Sequence, residues 1–231
     1  ELRKQLIARG HIFRTKSDAE VLLHLYEEKG VKALEDLNGM FAFALFDERR
    51  NELFLARDRL GIKPLFYSKL TGKFVFASDA RALHSQIDTA LNVDSVLKYL
   101  ALAYVPDSET MWNGVSKLLP GHYMIIDGTG STQYVKYWSP QVSPVWSGSM
   151  LEAKEHLKYL LNDAVRLQMR SDVPVGLFLS GGVDSSALVA YASQCTSEPL
   201  STFTVNFEGK GSADASYARM IAKEYKTKHF E

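Results

Sequence analysis

Cysteine is almost absent from this chain: Cys195 is the only one in 231 residues, which excludes a disulfide framework within the chain. So little cysteine fits a reducing compartment, and we expect a cytoplasmic location. Neither sign of charge is in excess, because Lys and Arg number 27 and Asp and Glu also number 27. We therefore expect neither nucleic acid nor an anionic membrane as a partner. No apolar run reaches the roughly 18 to 20 residues that a membrane-spanning helix needs.

The two ends of the sequence lack the signals that commonly mark the start and the end of a protein. The first residues, from Glu1 onward, contain neither the apolar core of a signal peptide nor an initiating Met. The last residues, up to Glu231, carry no terminating signal. We expect a fragment that is cut at both ends.

The first half of the chain has the patterns of an α+β fold. Ser17 and Glu20 have the spacing of a capping box, and the apolar residues after them predict a helix from near Asp18 to just before Gly30. A second helix is expected over 93–101. Three pairs of β-rich segments joined by polar turns predict hairpins, at 40–46 with 53–56, at 65–67 with 74–77, and at 123–127 with 133–137. Hairpins imply antiparallel sheets.

The second half of the chain has sequence patterns that differ from those of the first half. Residues 139–149 are rich in Pro and Ser and predict a linker between a domain at 1–138 and another at 150–231. Ser149 and Glu152 form a second capping box before a helix. The apolar run 173–179 predicts a strand covered on both faces, with a helix over 188–192 and a strand over 200–207 after it. This is a βαβ unit of a parallel sheet.

A loop with specific chemistry lies between that strand and that helix, with the sequence Leu179-Ser180-Gly181-Gly182-Val183-Asp184-Ser185-Ser186. The two glycines allow positive φ and a close approach to a ligand. The helix N-terminus that follows favours a phosphate or pyrophosphate, and the three serine hydroxyls add donors. The Gly-Lys-Ser/Thr of a Walker A loop and the G-x-G-x-x-G spacing of a Rossmann fingerprint are both missing.

This loop closely resembles the S-G-G-x-D-S-S pyrophosphate loop of ATP pyrophosphatases, which cleave ATP between the α and β phosphates and leave an acyl-adenylate. Residues 37–44 and 56–65 resemble the glutamine amidotransferase domain of asparagine synthetases, and 104–106 and 117–123 resemble its end. The resemblance covers nearly the whole chain in the same order. It implies an α+β N-terminal-nucleophile amidotransferase domain followed by an α/β parallel-sheet ATP-pyrophosphatase domain, both incomplete.

The resemblance also implies a reaction and its ligands. Glutamine is hydrolysed, ammonia passes between the domains, and aspartate activated by ATP and Mg²⁺ as β-aspartyl-AMP becomes asparagine. The small molecules that the protein would bind are glutamine, aspartate and ATP. A homodimer is the assembly that the resemblance suggests. Asp18 would bind the α-amino group of glutamine, and Asp184 would also be the magnesium ligand. The implied ATP-binding residues are Leu179, Ser180, Gly181, Gly182, Asp184, Ser185, Ser186 and Val205.

Some residues of that family have no counterpart in this sequence. Its nucleophile is an N-terminal Cys, whereas Cys195 is internal and is interpreted as a small, partly buried hydrophobe. No catalytic residue is therefore assigned, and this chain alone is expected to be inactive as a glutaminase. A turn held by charge-assisted hydrogen bonds explains Arg57, Asp58 and Arg59 at least as well as a functional role. No metal is assigned to the scattered histidines His11, His24, His84, His122, His156 and His229.

Three alternatives stay open from the sequence. Amidotransferases that act on surface polysaccharides and β-lactam-forming synthetases share this architecture and differ in the acceptor. A non-catalytic scaffold that keeps the fold is a third alternative, against which the complete pyrophosphate loop argues.

The role of Asp18 also has an alternative. Its carboxylate could serve only the first turn of its helix, where a negative charge is favoured by about 0.3 to 1 kcal/mol.

Overall fold

The computed structural model describes residues 1–87, 90–141, 146–206 and 213–231, except for the side chain of Ala213. These residues belong to two compact units, Glu1–Val142 and Ser143–Glu231, and each unit is described by itself. Part of the predicted linker, residues 142–145, and the predicted strand end at 207 lie outside the described residues.

The first unit contains two antiparallel sheets. Its strands are β1 Ala42–Asp47, β2 Glu52–Arg57, β3 Phe66–Leu70, β4 Lys73–Ala77, β5 Ser116–Lys117, β6 His122–Asp127 and β7 Thr132–Lys136. One sheet has the order β1-β2-β6-β7, and the other has the order β4-β3-β5. The three predicted hairpins are confirmed, because β1 pairs with β2, β3 with β4 and β6 with β7, each time antiparallel.

Four α-helices are described in the first unit: α1 Leu2–Ala8, α2 Asp18–Lys29, α3 Ala33–Asp36 and α4 Val93–Leu102. The predictions of α2 and α4 are confirmed. The helix α2 ends at Lys29, and its C-cap residue Gly30 has a φ of 57° that a side chain would disfavour. The sequence did not predict α1, whose Leu6 is buried against Leu25 of α2.

The layers of the first unit follow from the alternation of strand residues. Adjacent residues of a strand point to opposite faces. Leu55 of β2 therefore packs in the cluster that joins the two sheets, together with Leu65 and Met124. Phe54 faces the other way and packs against Tyr26 of α2 and Leu34 of α3. The order of layers is α2 with α3, then the four-stranded sheet, then the three-stranded sheet.

The second unit is an α/β unit with a parallel sheet, as predicted. Its elements are α5 Met150–Gln168, β8 Gly176–Phe178, α6 Val183–Ala192, β9 Ser201–Phe203, α7 Ala213–Glu224 and β10 Lys228–Phe230. The strands are parallel in the order β10-β9-β8. The capping box at Ser149 and Glu152 is confirmed at the start of α5. No helix of the described residues is both long enough and apolar enough to cross a membrane.

The strand predicted over 173–179 is shorter than expected, and one of its faces is partly open among the described residues. Only Gly176–Phe178 is a strand, and the side chain of Phe178 is 80% exposed. Leu177 packs into the core of the unit, so Phe178 must point to the other face. Phe178, Phe203 and Phe230 are neighbours in register on that face, which stays partly open among the described residues.

The interpretation of Cys195 as a partly buried hydrophobe is wrong, because this residue is exposed. The helix α6 ends at Ala192, so Cys195 lies in the turn after it. Its backbone N–H donates to Ala192 O at 2.9 Å. The residue therefore lies beyond the helix face that packs into the core.

Candidate functional site

The predicted pyrophosphate loop begins at the carboxyl end of β8. Leu179 is buried in the core of the second unit with Val189 and Ala218. Its N–H donates to Phe203 O at 2.8 Å, and its carbonyl oxygen accepts a hydrogen bond from the hydroxyl of Thr204. These contacts hold the carboxyl ends of β8 and β9 side by side, which is the edge where parallel sheets bind ligands. A contact of Leu179 with a nucleotide stays a prediction.

The turn of the loop needs glycine at one of its two glycine positions. Gly181 has a φ of 75°, and a Cβ added there would lie 2.4 Å from the carbonyl oxygen of Asp214. Gly182 differs from Gly181: its φ is −73°, and it is the N-cap of α6. The positive φ that either glycine allows is therefore found at Gly181 and not at Gly182. The reason is that one left-handed residue already turns the chain from β8 into the helix.

The serine hydroxyls of the loop lie close together. The Oγ atoms of Ser180 and Ser185 are 3.1 Å apart. The hydroxyls of Ser185 and Ser186 donate to the carbonyl oxygen of Gly182 at 3.2 and 2.7 Å. The structure thus brings Ser185 and Ser186 to one carbonyl at the entrance to the helix, with Ser180 beside Ser185.

The start of α6 is free of a side-chain cap, because its N-cap residue is glycine. The N–H groups of the first helical turn have no acceptor within the helix, so they and the helix dipole form a site for an anion. Asp184 is the second residue of this turn, and its side chain is exposed. Val205 lies just beyond β9 with 68% of its surface exposed. Both residues are accessible to a ligand at this edge.

The predicted glutamine ligand Asp18 belongs to the other unit and lies in the first turn of α2. Its side chain is exposed, and its Oδ1 accepts a hydrogen bond from Ala19 N at 2.9 Å. Ser17 is the N-cap residue, and its Oγ accepts from the same N–H at 3.2 Å. The second carboxylate oxygen of Asp18 can therefore accept from an amine of a ligand.

The capping box predicted at Ser17 and Glu20 is wrong. The carboxylate of Glu20 does not return to Ser17 but accepts from the N–H groups of Arg14 and Thr15, at 2.6 and 2.7 Å, and from the hydroxyl of Thr15 at 2.5 Å. These bonds, with that of Arg14 the strongest, lower the pKa of Glu20 to about 2. Glu20 thus anchors the segment that leads into Asp18, a role the sequence did not reveal.

We expect the variant Glu20→Gln to be less stable than the wild type at pH 7, because an amide replaces the carboxylate that accepts these three bonds. The folded pKa of about 2 lies below the ordinary value of 4.5. The stabilisation is therefore complete above about pH 4.5 and is lost as the pH falls towards 2. Urea unfolding measured at pH 7 and at stepwise lower pH should show the difference shrink. The exposed turn residue Glu48 gives the control Glu48→Gln, and an equal loss in both variants would contradict this role.

The signature residues Arg57 and Asp58 hold a turn together, as one of the two interpretations predicted. Asp58 is 1% exposed. Its carboxylate accepts from four backbone N–H groups at 3.0–3.2 Å, those of Phe41, Leu60, Ile62 and Lys63. The guanidinium of Arg57 donates to three carbonyl oxygens at 2.7 Å, those of Gly61, Lys63 and Leu118. Arg59 donates to Glu35 O at 3.3 Å.

Comparison with known protein families agrees with this architecture. Residues 1–138 match the family described as glutamine amidotransferase domain, which is more than half of the chain. The chain therefore belongs to the glutamine amidotransferase domain family. Residues 156–231 match a second family, described as asparagine synthase.

Individual relatives give the same result. The chain is 37% identical over 223 residues to "Asparagine synthetase [glutamine-hydrolyzing] 1" of Bacillus subtilis, with 96% of this chain and 35% of that protein covered. It is 36% identical over 222 residues to "Putative asparagine synthetase [glutamine-hydrolyzing] 2" of Methanocaldococcus jannaschii, with 93% and 42% covered. The chain thus spans well under half the length of these relatives.

A solved structure was also found, the glutamine phosphoribosylpyrophosphate amidotransferase from B. subtilis complexed with ADP and GMP. Its identity to this chain is 18%, its TM-score is 0.43, and the alignment covers 99% of this chain and 42% of that one. A likeness at this level carries no argument about site or activity.

Proposed function

We propose that the protein makes asparagine from aspartate in an ATP-dependent reaction, with glutamine as the nitrogen donor. The observation that carries the proposal is the loop from Leu179 to Ser186, where a glycine with a φ of 75° leads into a helix without a side-chain cap. It occurs in a chain of the glutamine amidotransferase domain family that also matches asparagine synthase. The two halves fit an enzyme that releases ammonia and uses it.

In the proposed reaction, the loop binds the phosphates of ATP. The N–H groups at the start of α6 and the clustered hydroxyls of Ser180 and Ser185 offer donors to the pyrophosphate. The aspartate side-chain carboxylate attacks the α phosphate, pyrophosphate leaves, and β-aspartyl-AMP forms. Ammonia then displaces AMP. Gly181 and Gly182 keep the backbone free of side chains, and Val205 lies at the same edge, where it would contact the adenylate.

Asp184 would hold Mg²⁺ in this site, and its surroundings fit that role. The carboxylate is exposed at the head of α6, beside the donors that would hold the pyrophosphate. A carboxylate there would repel the phosphates unless a cation lies between them. Mg²⁺ takes oxygen ligands, and usually one or two carboxylates together with substrate phosphates. When bound, Mg²⁺ would neutralise part of the negative charge of the phosphates.

Asp18 would bind the α-amino group of glutamine in the first unit. Its carboxylate is exposed, and Glu20 fixes the segment before it. The nucleophile that hydrolyses glutamine is not assigned to any residue of this sequence, and we expect no glutaminase activity from these 231 residues alone.

The proposed organisation is an amidotransferase domain at 1–138, a linker at 139–149 and a synthetase domain at 150–231, with ammonia passing from the first to the second domain. The family matches to 1–138 and 156–231 support these bounds. A cytoplasmic location is proposed because a sequence with one cysteine cannot form a disulfide bond within the chain, and such sequences are usual in a reducing compartment. A homodimer is proposed on the resemblance alone.

The test of the proposed function uses the full-length protein with glutamine labelled with ¹⁵N in its amide, aspartate and Mg-ATP. We expect ¹⁵N-asparagine, AMP and pyrophosphate in equal amounts, and unlabelled asparagine when ammonium replaces glutamine. Pyrophosphate release that depends on another acceptor, and not on aspartate, would contradict asparagine synthesis. Absence of any ATP cleavage with either nitrogen source would identify a non-catalytic protein.

A further inference from the structure

A cluster of three metal-binding side chains lies in the first unit, on α2 and the segment before it. His11 lies in the segment between α1 and α2, whereas His24 and Glu27 lie on one face of α2. The Nδ1 atoms of the two histidines are 3.1 Å apart. Oε2 of Glu27 lies 2.9 Å from Nδ1 of His24 and 3.7 Å from Nδ1 of His11. Among the described residues, this is the group of three whose geometry could hold an ion.

These three distances match the geometry of a metal site. Ligand atoms at about 2.0–2.1 Å from a tetrahedral zinc ion lie about 3.3 Å from one another. The observed edges of 2.9, 3.1 and 3.7 Å enclose a point at about this bonding distance from all three atoms. We propose that His11, His24 and Glu27 bind one divalent transition-metal ion of the Zn²⁺ type, with a fourth position open to solvent.

The type of ligand decides the type of metal. Two imidazole nitrogens and one carboxylate oxygen suit Zn²⁺ and its neighbours among the transition metals, whereas Mg²⁺ and Ca²⁺ prefer oxygen ligands only. The two imidazoles are shielded, with 18% and 17% of their side chains exposed, while Glu27 is 64% exposed. Phe13 packs edge-on against the ring of His24. The site is closed by protein on one side and open on the side of Glu27.

The outer nitrogen atoms of both histidines face carboxylates. When Nδ1 binds a metal, the ring proton must lie on Nε2. Nε2 of His11 lies 3.0 Å from Oε1 of Glu28. Nε2 of His24 is buried and has no hydrogen-bond partner among the residues that the structure describes, where the nearest carboxylate oxygen, Oε1 of Glu20, is 4.0 Å away. The contact of His11 with Glu28 is the arrangement in which metal-bound histidines commonly donate their other N–H to a carboxylate.

Hydrogen bonds alone explain the cluster less well. The proton on Nδ1 of His24 would have to serve both the carboxylate of Glu27 and Nδ1 of His11, because a neutral imidazole carries one N–H. A cation between the three atoms removes the competition for one proton.

The proposed ion would connect two segments that are distant in sequence. It would join the segment before α2 to the helix itself, at a position about 9 Å along the helix from Asp18. Glu20 and Arg3 bind the same segment through Thr15 and Ser17. The ion would therefore fix the entrance to α2, and this role does not depend on the proposed activity.

The experiment measures Zn²⁺ binding to the full-length protein without a histidine tag, by isothermal titration calorimetry in a Cys195→Ser background that removes the exposed thiol. We expect one Zn²⁺ per chain with a Kd in the micromolar range or below. His24→Gln and Glu27→Gln each change a proposed ligand and should weaken binding by about 10- to 100-fold or more, because changing a residue that only hydrogen-bonds to a ligand already costs about that much. His156→Gln, an exposed histidine of the second unit, should leave it unchanged.

A second readout keeps the test independent of folding defects. Co²⁺ bound in place of Zn²⁺ should give the visible absorption of a tetrahedral site, and Glu27→Gln should reduce it while its exposed position leaves the circular dichroism spectrum unchanged. Mg²⁺ in large excess should not compete. Absence of Zn²⁺ binding, or equal binding by folded His24→Gln and wild type, would overturn the proposal and leave a cluster of hydrogen bonds only.

Discussion

Asp184→Asn in the full-length protein should lower the rate of aspartate-dependent pyrophosphate release by roughly 10²- to 10³-fold. The carboxylate is exposed at the head of α6, where it would hold the cation that neutralises the phosphates. Asn keeps the size and shape of the side chain but removes the charge on which that interaction depends. Glutamine hydrolysis in the other domain should continue.

The alternative role of Asp184 is purely local. The helix α6 has Gly182 as its N-cap residue, so Asp184 does not cap it and contributes only through the helix dipole, about 0.3–1 kcal/mol. This alternative predicts near-normal pyrophosphate release by Asp184→Asn, even when Mg²⁺ is limiting. Asp172→Asn, at an exposed bend of the same unit, is the matched control and should behave like the wild type.

Asp58→Ala should destabilise the first unit by about 3–5 kcal/mol. The carboxylate is 1% exposed and accepts from four backbone N–H groups. Removing it leaves these donors without an acceptor in a region that water does not reach readily. A loss of this size is a large part of the total stability of a typical domain.

Urea unfolding followed by tryptophan fluorescence measures this effect, because Trp112 and Trp138 both lie in the first unit. The control is Glu48→Ala, in the exposed turn between β1 and β2, for which we expect a change within about 0.5 kcal/mol. Asp58→Asn should lie between the two, because one acceptor oxygen remains. A loss below 1 kcal/mol for Asp58→Ala would show that the turn is held by other contacts, such as those of Arg57.

Local patterns in the sequence were sufficient for most elements of the fold. The three hairpins and the helices α2 and α4 were predicted because alternation, helical spacing and turn residues act over a few neighbouring residues. The capping box at Ser149 and Glu152 is local in the same sense. The loop from Leu179 to Ser186 was recognisable because all of its proposed binding residues except Val205 are close together in the sequence.

The predictions that were wrong concern burial and the partners of polar groups. Cys195 is exposed although its residue type is commonly buried, and only Gly176–Phe178 of the apolar run 173–179 is a strand. Glu20 has the spacing of a capping box but binds Arg14 and Thr15 instead of Ser17. Sequence spacing shows which partners are within reach, whereas packing decides which one is bound.

The sequence by itself therefore determined the three hairpins, the helices α2 and α4, the class of each half and the candidate pyrophosphate loop. The tertiary structure alone decided the contacts between distant residues. It buries Asp58 among N–H groups from both sides of a turn, places Gly181 against the carbonyl of Asp214, and brings His11 to His24. The physical reason is that such contacts form only when segments distant in sequence pack together. Patterns among neighbouring residues do not specify the distance between two such segments.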